Sequence, residues 1–63
     1  MPIVQIHLIK GRSIEQKREM AQKITEIISS VAKTEKEDVE IIFSEIEKED
    51  FSKGGTLAID KRS

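Results

Sequence analysis

Met1-Pro2-Ile3-Val4-Gln5-Ile6-His7-Leu8-Ile9-Lys10-Gly11-Arg12, residues 1–12, decides how the rest of this 63-residue chain is read. Ile3 to Ile9 reads as a strand. Ile3, Gln5, His7 and Ile9 point one way, and Val4, Ile6 and Leu8 the other. Both faces are largely apolar, as in strands of a parallel sheet buried on both sides. Lys10-Gly11-Arg12 forms the exit turn. Ser13 then stands as a helix N-cap, with Gln16 three residues later at the spacing of a capping box.

From Ile14 to about Ala32 the period is helical. Met20, Ile24, Ile27, Ile28 and Val31 recur at spacings of three and four and make one apolar stripe. Glu15, Lys17, Arg18, Glu19, Gln22, Lys23 and Glu26 mostly face away from it. Thr34 and Glu37 repeat the capping-box spacing, which places a single helical turn at Glu35–Glu37. Val39 to Ile46 is the second strand, with Val39, Ile41 and Phe43 on one face and Glu40, Ile42, Ser44 and Ile46 on the other. The acidic segment Glu45–Asp50 reads as a loop. Gly54-Gly55 is a turn signal, Thr56–Ile59 a short closing strand or hairpin, and Asp60–Ser63 a polar tail.

Strand, long helix, strand is a β-α-β unit with parallel strands and a right-handed crossover. The fold class is therefore α/β, a small β-α-β unit plus a short C-terminal hairpin, in one domain spanning residues 1–63. One helix covers one face of a two-stranded sheet, and the other apolar face has nothing in this chain to cover it. Such a face marks an interface, so the chain is expected to be completed by copies of itself.

Composition narrows the function. Below roughly 70–80 residues a single core seldom supplies more than about 3–5 kcal/mol. With no cysteine, neither a disulfide nor a thiolate metal site is available, and a single histidine argues against zinc. Eleven basic and 12 acidic side chains give a net charge of −1, which leaves no electrostatic footprint for nucleic acid. Phe43 and Phe51 are the only aromatics, so base-stacking platforms are absent. Lys10 and Arg12 interrupt the first apolar run too early for a signal peptide, and no run approaches a membrane span. The expectation is a soluble, cytoplasmic chain. Its charged fraction of 37% fits surface ion pairing.

Pro2 is the only proline. Inside a chain its nitrogen is an amide without basicity. If Met1 is trimmed, as is usual before a small second residue, Pro2 becomes a secondary amine that can accept a proton. A primary α-amino group titrates at about 7.7–8.0, and a secondary one sits higher. Burial against apolar strands and a nearby cation such as Arg12 would both lower that value and make a base useful at neutral pH. The alternative is that Pro2 merely starts an edge strand, where its missing donor is harmless. Arg12, between a strand end and a helix start, suits a carboxylate bidentately, or is a surface residue. Phe51 belongs to no stripe; it walls a pocket or plugs an oligomer contact. His7 reads as a strand residue with a local hydrogen bond. Glu45, Glu47, Glu49 and Asp50 read as a solvated loop rather than a metal or acid–base site.

Met1-Pro2-Ile3, Gln5-Ile6-His7, Gly11-Arg12-Ser13 followed by Glu15-Gln16-Lys17, and Phe51 ahead of Gly54-Gly55 together resemble the 4-oxalocrotonate tautomerase family of small tautomerases. The resemblance runs without a gap from Pro2 to about Arg62. It implies a tautomerase fold that pairs into dimers and assembles into a homohexamer, with active sites built from more than one subunit. It implies that Pro2 is the general base, that Arg12 binds a substrate carboxylate, and that Phe51 lines the apolar pocket that keeps the amine neutral. One position departs from the pattern. Family members that act on dicarboxylates carry a second arginine in the second strand, and Glu40 occupies that place here. A carboxylate there repels a substrate carboxylate and raises the proline pKa by stabilising the ammonium form.

The resulting expectation is an isomerase that interconverts enol and keto forms of a small 2-oxo or 2-hydroxy carboxylic acid, with no cofactor or metal implied. Two alternatives stay open. One is a related proline-based hydration or dehalogenation in which Glu40 activates water. The other is a non-catalytic scaffold with the tautomerase fold.

Overall fold

The computed structural model describes residues 2–61. Trimming of Met1 and the last two residues of the polar tail lie outside that range. The strand β1 (Ile3–Ile9) and the helix α1 (Ile14–Ala32) have the boundaries expected from sequence. Between them Gly11 takes φ +141°, a conformation that side chains beyond glycine seldom adopt, and this turns the chain from strand into helix. The capping box forms in both directions: Ser13 Oγ accepts the Gln16 N–H at 3.1 Å, and Gln16 Oε1 accepts the Ser13 N–H at 2.9 Å. Two of the N–H groups that a helix start would leave orphaned are thus satisfied. The helix ends at Lys33, which is left-handed at φ 56° and donates its N–H to the Ser29 carbonyl.

A 3-10 turn at Lys36–Asp38 leads into β2 (Glu40–Ile46). The turn sits one residue later than expected, and no side-chain cap forms at its start, because Glu35 rather than Thr34 occupies the cap position. The strand correspondingly begins at Glu40. The Val39 N–H instead closes the turn onto the Lys36 carbonyl at 3.1 Å. Strands β1 and β2 are parallel, in a register that runs from Ile3 opposite Glu40 to Ile9 opposite Ile46.

That register separates the two faces. Val4, Ile6 and Leu8 share a face with Ile41, Phe43 and Glu45. The five apolar members are half-buried, as are Met20, Ala21, Ile24 and Ile28 of α1. Lys17 reaches from the helix to Glu45 at 2.6 Å, so α1 lies over this face. The expected apolar stripe is split: Met20, Ile24 and Ile28 face the sheet, while Ile27 and Val31 point outward and are 62% and 77% exposed. A two-stranded sheet is narrower than the stripe, and the helix residues at its flank find nothing to cover them.

The opposite face carries Ile3, Gln5, His7 and Ile9 beside Glu40, Ile42, Ser44 and Ile46. Ile3 is 59% exposed and Ile42 50% exposed. Among the described residues none is fully buried. The chain exposes 5280 Å², against about 4100 Å² expected for a compact monomer of this mass. Its radius of gyration is 14.8 Å, against about 10.6 Å for a compact domain of this length. This is the surface excess of a chain with uncovered faces.

After β2 the expected acidic loop is partly ordered: Glu45 and Ile46 complete the strand, and Lys48–Asp50 form a second 3-10 turn. A hairpin follows, β3 (Ser52–Lys53) antiparallel to β4 (Thr56–Leu57). Gly54 and Gly55 close it at φ +61° and +87°, the double positive φ of a type I′ turn. The closing strand stops at Leu57, because Ala58–Asp60 wind into a third 3-10 turn, and Ile59 and Asp60 belong to that turn. Among the described residues no helix is long and apolar enough to cross a membrane.

Candidate functional site

Parallel strands have their amino ends at the same edge of the sheet, and this places Pro2 and Glu40 together. The Glu40 N–H donates to the Pro2 carbonyl at 3.0 Å, extending the ladder one residue beyond β1. Pro2 is half-buried. The Glu40 side chain makes no hydrogen bond or ion pair among the described residues. It stands on the uncovered face beside Ile3. Glu40 is therefore the β2 residue nearest Pro2 along the ladder.

Arg12 lies beyond the other end of β1. Its Nη1 donates back to the Ile9 carbonyl at 3.3 Å, which draws the guanidinium towards the strand end. It opens a groove of about 350 Å³ along the flank of α1, lined by Gln16, Glu19, Met20, Lys23 and Ile24 as well. Inside this groove Lys23 and Glu19 neutralise one another at 2.7 Å. Their hydrogen bond holds the Glu19 carboxyl below its ordinary range and raises the Lys23 ammonium. Arg12 has no carboxylate partner among the described residues. It is thus the uncompensated cation of the groove.

Phe51 sits past the carboxyl end of β2, at the start of the hairpin. It is 44% exposed and walls a second groove of about 270 Å³ with Lys53, Thr56, Ala58 and Lys61. Lys53 and Lys61 were not singled out from sequence. The available signal was the two-residue Gly54-Gly55 turn, which sets Lys53 opposite Thr56 and so on the face of Phe51. His7 lies mid-strand opposite Ser44 on the uncovered face.

One chain thus brings Pro2 and Glu40 together and leaves Arg12 and Phe51 apart from them. The seven residues of β1 span about 23 Å at about 3.3 Å per residue. A small acid cannot touch Pro2 and Arg12 of the same chain at once. Any site that uses both joins different copies.

Comparison with known proteins agrees with this architecture. The family model described as tautomerase enzyme matches residues 2–61. A probable tautomerase of Streptococcus agalactiae is 39% identical over 57 residues, covering 90% of this chain and 95% of that relative. The crystal structure of a 4-oxalocrotonate tautomerase homologue superposes with a TM-score of 0.93 at 32% identity over the whole of both chains. A heterohexamer 4-oxalocrotonate tautomerase from Chloroflexus aurantiacus gives a TM-score of 0.91 at 26% identity, over 98% of this chain and all of that one. A match across almost the whole length, in both sequence and fold, leaves one assignment: the chain belongs to the tautomerase family.

Proposed function

We propose that this protein is an isomerase that converts the enol form of a small 2-hydroxy-2-enoic acid into its 2-oxo form, with the Pro2 amine as general base. The observation that carries the reading is the position of Pro2. It leads into β1 at the sheet's amino edge, and its carbonyl accepts the Glu40 N–H, next to Ile3 and Glu40 of the uncovered face. With Met1 removed, the Pro2 nitrogen is a secondary amine. Covered by another subunit, it loses water, and desolvation lowers its pKa towards neutrality.

The reaction balances without a cofactor. The neutral amine takes the proton of the enol hydroxyl. As the oxygen becomes a carbonyl, the enol double bond supplies an electron pair to carbon. The prolinium returns the proton to that carbon, and the amine is regenerated. Arg12 holds the substrate carboxylate, and Phe51 walls the pocket. Because Pro2 and Arg12 lie a strand length apart, the working form is an assembly, read here as a cytoplasmic homohexamer of single-domain chains.

Glu40 favours a second reading, in which the prolinium acts as acid and Glu40 activates water to add across an activated alkene. The test is direct. Phenylenolpyruvate, a monocarboxylate enol, should ketonise faster with the protein than without it, with native mass spectrometry showing an assembly of chains that begin at Pro2. No acceleration by chains shown to begin at Pro2 would reject the isomerase reading.

A further inference from the structure

Arg12 sits on a connection that packing does not hold. Lys10-Gly11-Arg12 joins the end of β1 to the N-cap of α1. Apart from its chain neighbours, no atom of the described residues lies within 4 Å of where a Gly11 side chain would begin. Ile14, the one apolar residue in the first turn of α1, is 65% exposed and gives that turn little hold on its own sheet.

Polar contacts hold the connection instead, and they close a ring. On the strand side the Lys10 N–H donates to the Ile46 carbonyl at 2.8 Å, and Arg12 Nη1 donates back to the Ile9 carbonyl at 3.3 Å. On the helix side the Lys17 N–H donates to the Ser13 carbonyl at 3.1 Å, which closes the turn beginning just after Arg12. The Lys17 ammonium then crosses to Glu45 of β2 at 2.6 Å. Glu45 adjoins Ile46, so the path from Arg12 through Ser13, Lys17, Glu45, Ile46 and Lys10 returns to Arg12.

Among the described residues, the Lys17–Glu45 pair is the only hydrogen bond or ion pair between α1 and either strand. Its side chains are 25% and 36% exposed, whereas every side chain in the other three ion pairs is more than half exposed. Salt screens a partly buried pair less. Glu45 lies on the sheet face that α1 covers, so the pair stands within one chain whatever covers the opposite face.

We propose that Lys17 and Glu45 are positioning residues for Arg12. Neither touches substrate. Their ion pair fixes the first turn of α1 against β2 and so sets the place from which the guanidinium meets a substrate carboxylate. Without the pair, that turn swings about Gly11, and Arg12 is no longer pre-organised for the carboxylate. This rests on the reading of Arg12 as the carboxylate ligand of an isomerase, and it names what holds that ligand in place.

A double-mutant cycle tests this. KM and kcat for phenylenolpyruvate are measured for wild type, Lys17→Gln, Glu45→Gln, Arg12→Ala and Arg12→Ala/Lys17→Gln. The control is Arg18→Gln, which breaks an ion pair confined to α1. Light scattering sets a chain concentration at which all share one assembly state. Lys17→Gln and Glu45→Gln should each raise KM about threefold, on the scale of one ion pair. The value of kcat should stay within about twofold, because the guanidinium holds ground state and transition state alike. In the Arg12→Ala background Lys17→Gln should add no further rise, and Arg18→Gln should change neither constant. A KM that both single variants leave unchanged, or an equal rise with and without Arg12, would overturn the proposal. Calorimetric binding of 3-phenylpropanoate, an unreactive monocarboxylate, through the same cycle separates the two readings. Absent turnover with binding that couples Lys17 to Arg12 removes the isomerase reading and leaves the positioning role. Normal turnover with a KM sensitive to Arg12 but not to Lys17 or Glu45 removes the positioning role alone.

Discussion

At the amino end of the sheet, Pro2 and Glu40 share one backbone hydrogen bond of 3.0 Å, and among the described residues no side-chain hydrogen bond or ion pair holds Glu40. At the carboxyl end, by contrast, the Lys10 N–H donates to the Ile46 carbonyl at 2.8 Å, and Lys10 pairs with Glu47 and Lys17 with Glu45. The capping box and the hairpin both follow from that end. The amino end offers a potential base next to a negative charge, and the carboxyl end offers Arg12, Lys53, Lys61 and the exposed ring of Phe51. A reaction on an acid needs a base and an anion-binding group within a few ångströms. The two ends of one chain cannot supply that, so the proposed reaction requires more than one copy.

The largest effects should come from removing the base or the assembly. Pro2→Ala leaves a primary, less constrained amine, and retention of Met1 leaves an amide. Turnover of phenylenolpyruvate should fall roughly a hundredfold or more in the first, on the scale of lost general-base catalysis, and to background in the second. A Met1-retaining chain as active as the trimmed one would remove Pro2 from the mechanism. Ile42→Asp places a charge in the middle of the uncovered apolar face, where burial by a second copy would be costly. Light scattering should show the assembly breaking down and activity going with it. Full activity in a monomer would show that one chain does join its two ends.

Arg12→Ala comes next. A charged hydrogen bond contributes about 1.5–3 kcal/mol, so KM for a carboxylate enol should rise about tenfold or more. The value of kcat should change less, because the guanidinium holds ground state and transition state alike. An unchanged KM would make Arg12 an ordinary surface residue of the α1 groove.

How far the sequence could be read differs between these ends. Ser13 and Gln16 marked the start of α1 correctly, because a capping box is local chemistry three residues long. The Ile3–Ile9 boundaries followed from the mostly apolar run between Pro2 and Lys10, in which Gln5 and His7 are the only polar residues. The similar spacing of Thr34 and Glu37 misled, since there the chain was closing a 3-10 turn with Val39 and no side chain was needed. Ile27 and Val31 looked like core because periodicity records which residues share a helix face, and not how wide the surface beneath it is. Pro2, Arg12 and Phe51 were singled out by type and neighbourhood and Glu40 by its departure from the family pattern, but the pairing of Glu40 with Pro2 became plain only with the parallel register. Lys53 and Lys61 escaped notice because, as lysines in a polar segment, they acquire meaning only from the hairpin's register.

Glu40 should have a smaller effect than Arg12, and a selective one. If its carboxylate repels an approaching anion beside Pro2, Glu40→Gln should raise kcat/KM for a dicarboxylate enol relative to phenylenolpyruvate by a few-fold, roughly the value of one exposed charge interaction. Glu40→Arg should raise it further by adding a cation near the developing oxyanion. A ratio that stays constant across the three proteins would place Glu40 outside the pocket and leave the amino end with Pro2 alone.

The smallest expected effect concerns what braces the carboxyl end. The hydrogen bond from Lys17 holds the Glu45 carboxyl below its ordinary range in the folded chain, against a smaller opposing desolvation. A carboxyl whose folded pKa is depressed contributes stability that is fully present above its unfolded value, about 4.3 for a glutamate. That contribution is lost as the pH falls through the folded value. Acid should therefore loosen α1 from the end of β2 while leaving the Glu40 to Pro2 hydrogen bond untouched, since no side chain takes part in it. Lys17→Gln removes the partner, so the variant should be less stable than wild type at pH 7, and the gap should narrow at about pH 3.5. Urea unfolding at one fixed chain concentration measures this, because stability of an assembly depends on concentration. Hydrogen exchange adds the location: on acidification the Lys10 and Ile46 amides should lose protection before that of Glu40. A gap that is the same at both pH values would mean that the Lys17–Glu45 pair does not brace the sheet, and that the carboxyl end is held by its backbone bonds alone.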